Sequence, residues 1–203
     1  MNTSPVSPLT NAFSPVKVAD SPCHSQKGNL TGSPRKVKDS VADIFNSIQK
    51  WNNLHVDGLV LLRRISEDLP SSPDAVENDK SCSERLQNKF ELLMDIKMKL
   101  VEIVDTFKAI NSHLQGLEKL ERLNRNYDPV FLTWLIAHYV ELSTEVYESY
   151  RNQLNLNVHV IENLALVSRK SAGTLIALWL HQPCIEPIIN FKVDSALKET
   201  GFS

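Results

Sequence analysis

The sequence has few of the residues that stabilise secreted proteins or build phosphate sites. It contains only three cysteines, Cys23, Cys82 and Cys184, and this odd, scattered set argues against a disulfide framework. None of its six glycines lies in a phosphate-binding loop. No secretory signal is recognisable, and no run of about 18 apolar residues could span a bilayer. We therefore expect an intracellular protein without a membrane segment.

Candidate metal and catalytic sites are also sparse. His181 and Cys184 are three residues apart, but a zinc site needs four ligands and no second pair has a suitable spacing. His138–Glu141 matches one element of a di-iron bundle, which needs a second such pair and two further carboxylates. His159–Glu162 is the one other candidate pair, so a solvated helix face is the simpler interpretation. The sequence predicts a protein that is not an enzyme and has no cofactor.

The formal charge is nearly balanced. The whole chain carries a net charge of −2, so no global field draws it to nucleic acid or a membrane. Residues 1–40 carry +3, and the remainder carries −5. We expect neither nucleic acid nor a membrane to be a direct partner.

A tail rich in serine and proline is predicted at residues 1–33. The first 34 residues hold five of the ten prolines and almost no large apolar side chains, so they cannot offset the entropy cost of ordering. We predict that this tail is disordered and that residues 34–203 form the folded domain.

The dipeptide Ser-Pro occurs six times, at Ser4, Ser7, Ser14, Ser21, Ser33 and Ser72. Ser14 and Ser33 are each followed by lysine at the third position, which is the consensus of cyclin-dependent kinases. We predict phosphorylation at these two serines. The alternative is that serine and proline simply accumulate in disordered tails. Arg35, Lys36 and Lys38 form a short basic cluster that is weak evidence for nuclear import.

The first predicted helix begins near Ser33, with Ser33 as N-cap and Pro34 in the first helical position. Apolar residues then follow at alternating steps of four and three, which is typical of a helix face: Val37, Val41, Ile44, Ile48 and Trp51. His55 and Gly58 interrupt the continuation of this stripe to Leu69, so we predict a kink or break near Gly58. A flexible loop is predicted at residues 70–83.

The second predicted helix has the clearest apolar pattern. Eight successive a and d positions of a heptad repeat are apolar: Leu93, Ile96, Leu100, Ile103, Phe107, Ile110, Leu114 and Leu117. No proline interrupts residues 84–128. A helix this long needs a partner along its whole stripe, either other helices of this chain or a helix of another protein. We predict these eight residues as partner-binding and keep the intramolecular core as the alternative.

A third helix is predicted to start with Asp128 as N-cap and Pro129 as first residue. Its stripe comprises Leu132, Leu135, Tyr139, Leu142 and Val146. Residues 154–160 alternate with a period of two, which is typical of a strand. An isolated strand would lack a partner among these helices, so we predict that the helix continues.

The C-terminal segment, residues 171–203, has a different character. A short apolar stretch ends at Pro183, and Pro187 opens a last helix that Gly201 closes as a C-cap. Trp179, His181, Gln182 and Pro183 are predicted as a docking motif; the alternative is that Trp179 anchors the last helices to the bundle. The resulting fold class is all-α, an elongated antiparallel bundle or coiled coil of three long helices with a short C-terminal helical cap.

With these residues in view, the chain resembles the cyclin-dependent kinase 2-interacting protein family. The most specific stretches are RKVKDSVADIFNSIQKW at residues 35–51, FLTW at 131–134 and LWLHQPCIEP at 178–187, with LKETG at 197–201 in addition. The tail before Arg35 carries little of the resemblance.

The resemblance implies a nuclear, non-enzymatic adaptor in DNA replication and checkpoint signalling. Its implied partners are cyclin-dependent kinase 2 complexes, the Cdc7 replication kinase and the ATR-interacting checkpoint protein. It also implies a link to a complex containing AAA+ ATPases, with roles at replication forks and in ribosome maturation. Two classes of function follow, a regulatory adaptor and a constitutive structural subunit of such a complex.

Ser33 connects the kinase motif with the first helix. A phosphate there would add about −2 charge at a helix N-terminus, where the helix dipole favours an anion, and beside Arg35 and Lys36. From the sequence we therefore expect phosphorylation of Ser33 to strengthen the first turn.

Overall fold

A computed structural model describes residues 30–69 and 80–202, with side chains from residue 84 in the second range. Its five α-helices are α1 (Gly32–Asp68), α2 (Lys80–Leu123), α3 (Ile136–Leu164), α4 (Arg169–His181) and α5 (Pro187–Glu199). Every regular element in this part of the chain is a helix, which confirms the predicted all-α class. Residues 154–160 lie inside α3, so the helical interpretation of that stretch is confirmed.

Neighbouring helices run antiparallel. Ser33 at the start of α1 contacts Glu121 near the end of α2, and Asp68 at the end of α1 contacts Lys89 early in α2. The buried Ser143 hydroxyl of α3 donates a hydrogen bond to Asn111 Oδ1 of α2 at 3.1 Å. Apolar side chains of all five helices meet in a single core.

The C-terminal segment forms a fourth rod of the bundle and is more than an end cap. Arg169 at the start of α4 donates to the backbone of Glu67, Trp179 contacts His55, and Lys38 lies over the Phe202 ring. From the start of α4 to the end of α5, the contacts therefore run along α1 from its C-terminal end to its N-terminal end. The predicted C-terminal helical cap thus consists of two short helices that together run along α1.

The first helix begins two residues earlier than predicted. Thr31 is the N-cap residue, with φ −129° and ψ 164°, and Ser33 already lies inside the first turn. Gly32 has φ +71°, a conformation that glycine adopts without steric cost. Pro34 still falls where a missing N–H has no consequence, because the first four N–H groups of a helix lack intrahelical partners. The prediction of Ser33 as N-cap was wrong.

The second helix begins earlier than predicted. It begins at Lys80, inside the predicted loop, whose residues 70–79 lie outside the described part of the chain. It ends at Leu123. Arg125 adopts a left-handed conformation with φ 55°, and its N–H donates to the carbonyl of Arg122, which terminates the helix.

The third helix starts at Ile136, which is seven residues after the predicted first residue, Pro129. The Glu199 carboxylate of α5 accepts hydrogen bonds from the backbone N–H groups of Thr133 and Trp134, at 2.7 Å for Trp134. The carboxylate therefore supplies hydrogen-bond acceptors to two backbone N–H groups that lie outside any helix. Leu132 and Leu135 are consequently exposed, and their predicted place in the core was wrong.

The last helix follows the prediction. Pro187 is its first residue, and Gly201 follows the C-cap with φ +76°. The N–H groups of Gly201 and Phe202 donate to the carbonyls of Lys198 and Leu197 at 3.1 and 2.9 Å. These two bonds form a Schellman motif, which satisfies carbonyls at the helix end.

Candidate functional site

The eight heptad residues of α2 lie inside the bundle. Their exposed fractions range from 0 to 8% for Leu93, Ile96, Leu100, Ile103, Phe107, Ile110, Leu114 and Leu117. Phe107 shows the arrangement, because its ring lies 4.9 Å from that of Tyr150, which also packs edge-on against Trp51. This geometry corresponds to the alternative in which the eight residues form the intramolecular core. Partner binding through these residues stays a prediction that would require the helices to separate.

The Trp179 side chain packs into a recess on α1 that is formed by His55 and Gly58. We call this recess the Trp179 socket. The Trp179 indole N–H donates to the His55 carbonyl at 3.0 Å, and the indole stacks parallel to the His55 ring with centroids 6.0 Å apart. A Cβ at Gly58 would lie 2.4 Å from Trp179 Cζ2. Helix α1 is continuous through both residues, so the break expected near Gly58 is absent.

Polar side chains hold the chain where α4 turns into α5. Gln182 is left-handed, with φ 43°, and its side-chain oxygen accepts a hydrogen bond from the Trp51 indole at 2.7 Å. The backbone N–H of Cys184 donates to the buried Gln153, which in turn donates to Asn157. Polar groups inside a core fix a particular arrangement because each needs its partner. Trp51 and Gln153 were not predicted as polar anchors, since their partners Gln182 and Cys184 lie far away in sequence.

The predicted docking motif is divided between interior and surface. Trp179 is fully buried and Gln182 is half-buried, so both hold α4 in place. His181 and Pro183 are exposed, and partner binding stays a prediction for them. Two exposed apolar residues of α5 were not among the predicted partner-binding residues: Ile188 and Phe191 are 47% and 67% exposed. Phe191 falls outside the buried stripe of α5, which is the signal that could have revealed it.

A cleft of about 450 Å³ lies where the start of α1 meets the end of α2. Its lining includes Ser33 and Pro34 of α1, Glu118 and Glu121 of α2, and Tyr127 of the following loop. The Ser33 hydroxyl donates to Glu121 Oε1 at 2.5 Å. This brings one predicted phosphorylation site into the folded domain. The other, Ser14, lies outside the described residues.

The histidine pairs considered for metals have other surroundings. His138 Nδ1 accepts a hydrogen bond from the Leu135 N–H at 3.0 Å and so caps the start of α3. Among residues 30–69 and 84–202, no three acidic, histidine or cysteine side chains gather closely enough to hold a metal ion. None of the helices described here has both the length and the apolar character needed to cross a membrane.

Comparison with known proteins gives consistent similarity over most of the chain. The chain is 32% identical over 200 residues to the cyclin-dependent kinase 2-interacting protein of Bos taurus and 31% identical to that of Mus musculus, covering 87% of this chain and 93% of each relative. The chain belongs to this family. The Homo sapiens protein of the same name is 28% identical over 197 residues, with the same coverage. No protein-family profile matches the sequence.

Family membership agrees with the placement of the stretches that first indicated it. FLTW at residues 131–134 is the segment held by Glu199, and the stretch 178–187 contains both Trp179 and the turn between α4 and α5. Much of the resemblance therefore falls on residues that join the C-terminal rod to the other helices.

Proposed function

We propose that this protein acts in the cell cycle as a non-enzymatic adaptor that binds cyclin-dependent kinase 2 in complex with a cyclin. The observation that carries the proposal is the similarity, over 93% of their length, to relatives whose name states an interaction with this kinase. The similarity also covers 87% of this chain, which supports a counterpart here of the surface that binds the kinase in the relatives.

The kinase-binding surface that we propose is the α4–α5 corner, defined as residues 180–191. The α2 stripe is already occupied by the chain's own helices, so a partner of the closed bundle must use the outside. Leu180, Ile188 and Phe191 present apolar surface at this corner and are 41%, 47% and 67% exposed. Ile188 and Phe191 are three residues apart on α5 and therefore share one face. The corner also overlaps the stretch 178–187.

A binding measurement with matched variants tests this proposal. The double variant Ile188→Ser/Phe191→Ser removes the exposed apolar pair of the corner. Truncation of central interface residues commonly costs 2 kcal/mol or more, so we expect the dissociation constant for the purified kinase–cyclin complex to rise by about 30-fold.

Leu92→Ser/Met98→Ser is the control, because Leu92 and Met98 are 54% and 55% exposed on α2. It should bind as the wild type does. Equal binding by all three proteins would refute the proposed surface, and absence of wild-type binding would refute the proposed partner.

The finer parts of the proposal rest on the family resemblance. We propose a nuclear location, a role in DNA replication and checkpoint signalling, and further binding of the Cdc7 kinase and the ATR-interacting protein. Co-purification of each partner with the wild-type chain, compared with the corner variant, tests which of them share this surface.

A second candidate is a constitutive structural subunit of an AAA+ ATPase complex with roles in replisome turnover and ribosome maturation. The exposed Phe191 favours this candidate, because burial of such an apolar side chain against a permanent partner subunit would be stabilising. A permanent subunit would stay in one large assembly throughout the cell cycle, whereas an adaptor would exchange between partners. Size fractionation of extracts from synchronised cells distinguishes the two.

A further inference from the structure

One carboxylate ties the start of α1 to the end of α2. Glu121 Oε1 accepts the Ser33 hydroxyl at 2.5 Å, and Glu121 Oε2 accepts the Asn126 side-chain amide at 2.7 Å. We call Ser33, Glu121 and Asn126 the Glu121 latch. It joins the first turn of α1, the last turn of α2 and the loop that follows α2.

The latch depends on Ser33 being a hydrogen-bond donor. A serine hydroxyl donates one hydrogen bond, whereas an ionised carboxylate only accepts. Any change that turns the Ser33 side chain into an acceptor alone removes the bond and places two acceptors against each other.

The surroundings of the latch are acidic. The cleft beside Ser33 is lined by the carboxylates of Glu118, Glu121 and Asp128 and by one guanidinium, that of Arg122. This guanidinium is already paired with Glu118 at 2.7 Å. A further anion placed at Ser33 therefore meets like charge on the α2 side.

We propose that Ser33 is a phosphorylation site that opens the Glu121 latch. Ser33 is followed by Pro34, Arg35 and Lys36, and both basic side chains are exposed. In the reaction, a proline-directed kinase transfers the γ-phosphoryl group of ATP to Ser33 Oγ. The bond between the γ-phosphorus and the β–γ bridging oxygen breaks, the hydroxyl proton passes to the kinase's base, and ADP leaves.

The phosphate reverses the role of Ser33 in the latch. It replaces the donated hydrogen with a group that carries about −2 charge and only acceptor oxygens near neutral pH. Glu121 already supplies an anion beside the start of α1, so the phosphate competes with it. In an isolated peptide the same phosphate would favour the first helical turn, as the sequence indicates. In the folded chain Glu121 changes the sign of the effect.

The opening has a natural limit. Val37 and Val41 are 0% and 1% exposed and anchor the next turns of α1 in the core. Release therefore affects the residues before Val37 and uncovers the cleft without unfolding the bundle. This inference is independent of the kinase-binding function proposed above, because any proline-directed kinase could carry out the transfer.

Kinase access gives the first test. Ser33 lies within the first turn of α1 and its hydroxyl is engaged, so the kinase must act when this turn frays. Glu121→Ala removes the engagement, and loss of a hydrogen bond to a charged group should speed Ser33 phosphorylation by about tenfold. Full-length protein is incubated with a purified cyclin-dependent kinase and ATP, and site occupancy is followed by mass spectrometry. Ser14 in the same molecule is the internal control, whose rate should not change.

Charge reversal at Glu121 gives the decisive test. Hydrogen exchange of the peptide covering residues 30–40 is compared before and after phosphorylation in a Ser14→Ala background. In the wild type we expect several-fold faster exchange after phosphorylation. In Glu121→Lys we expect slower exchange, because the lysine ammonium would pair with the phosphate.

A thermal melt by circular dichroism verifies that each variant is folded, and any variant that is not folded is replaced by Glu121→Gln, in which the acceleration of exchange should shrink. Slower or unchanged exchange in the phosphorylated wild type would overturn the proposal. So would phosphorylation of Ser14 without phosphorylation of Ser33 in both the wild type and Glu121→Ala.

Discussion

At the scale of single residues, His55 and Gly58 show how a sequence pattern can be misread. Both interrupt the apolar stripe of α1, and the sequence alone treats them as defects. In the structure they receive Trp179, whose ring needs the space that glycine leaves. The indole N–H donates to His55 from 124 residues further along the chain, so no local pattern could reveal the pairing.

Substitution of Gly58 tests the socket. The added methyl of Gly58→Ala would meet Trp179 Cζ2 at 2.4 Å, and we expect overpacking to lower the free energy of unfolding by about 1–3 kcal/mol. Gly116→Ala in α2 is the matched control, because a Cβ there meets no side chain or other helix of the described residues within 4 Å. The control should gain up to about 1 kcal/mol from helix propensity. Urea denaturation measures both, and a stabilised Gly58→Ala would contradict the packing described.

His55 makes stability depend on pH. Burial lowers its pKa from the ordinary value of 6.5, with partial opposition from the backbone of Leu180. As pH falls below about 6.5, the unfolded chain binds the proton first, so the free energy of unfolding decreases through that window. Above it, His55 is neutral in both states and contributes no pH dependence.

The comparison with His55→Gln isolates this contribution. The stability of the wild type relative to this variant should decline as pH is lowered from about 7.5 to 5, because glutamine does not titrate. His159→Gln is the matched control, since it makes the same substitution at an exposed position of α3. A pH profile of His55→Gln parallel to that of the wild type would show that His55 is not responsible.

At the scale of elements, the sequence predicts the helices better than their limits. The apolar period identifies α1, α2 and α3 because each buries one continuous face. The start of α3 was misplaced because Asp128 and Pro129 are suitable starting residues, whereas a carboxylate on α5 decides the outcome. The limits of α5 were predicted correctly from Pro187 and Gly201, since no long-range contact overrides these local signals.

Glu199 is therefore expected to stabilise the loop before α3. It is 9% exposed and accepts the backbone N–H groups of Thr133 and Trp134. Glu199→Ala leaves both groups without an acceptor and should cost about 1–3 kcal/mol of stability. Glu199→Gln keeps one carbonyl oxygen at the site and should recover much of the loss. Urea denaturation compares the two, and equal losses would show that the side chain's packing, rather than its oxygens, is what matters.

At the scale of the whole molecule, the sequence predicts which helix faces are apolar but not which faces pack against each other. The α2 stripe required a partner along its length, and the sequence left open whether this was another protein. The pairing depends on which faces meet after folding, and periodicity gives only the face of each helix. The exposed positions of Ile188 and Phe191 likewise follow from how α5 sits against α1 and α3.

The central claim is that the chain's own helices close the α2 stripe, so that partners bind the outside of the bundle. Hydrogen exchange of residues 93–117 in the free, full-length protein tests it most directly. We predict that these amides exchange only when the whole protein unfolds, because both flanks of the stripe are covered. Exchange of the whole segment within seconds, while α1 and α3 remain protected, would contradict the account and show that the stripe awaits a partner.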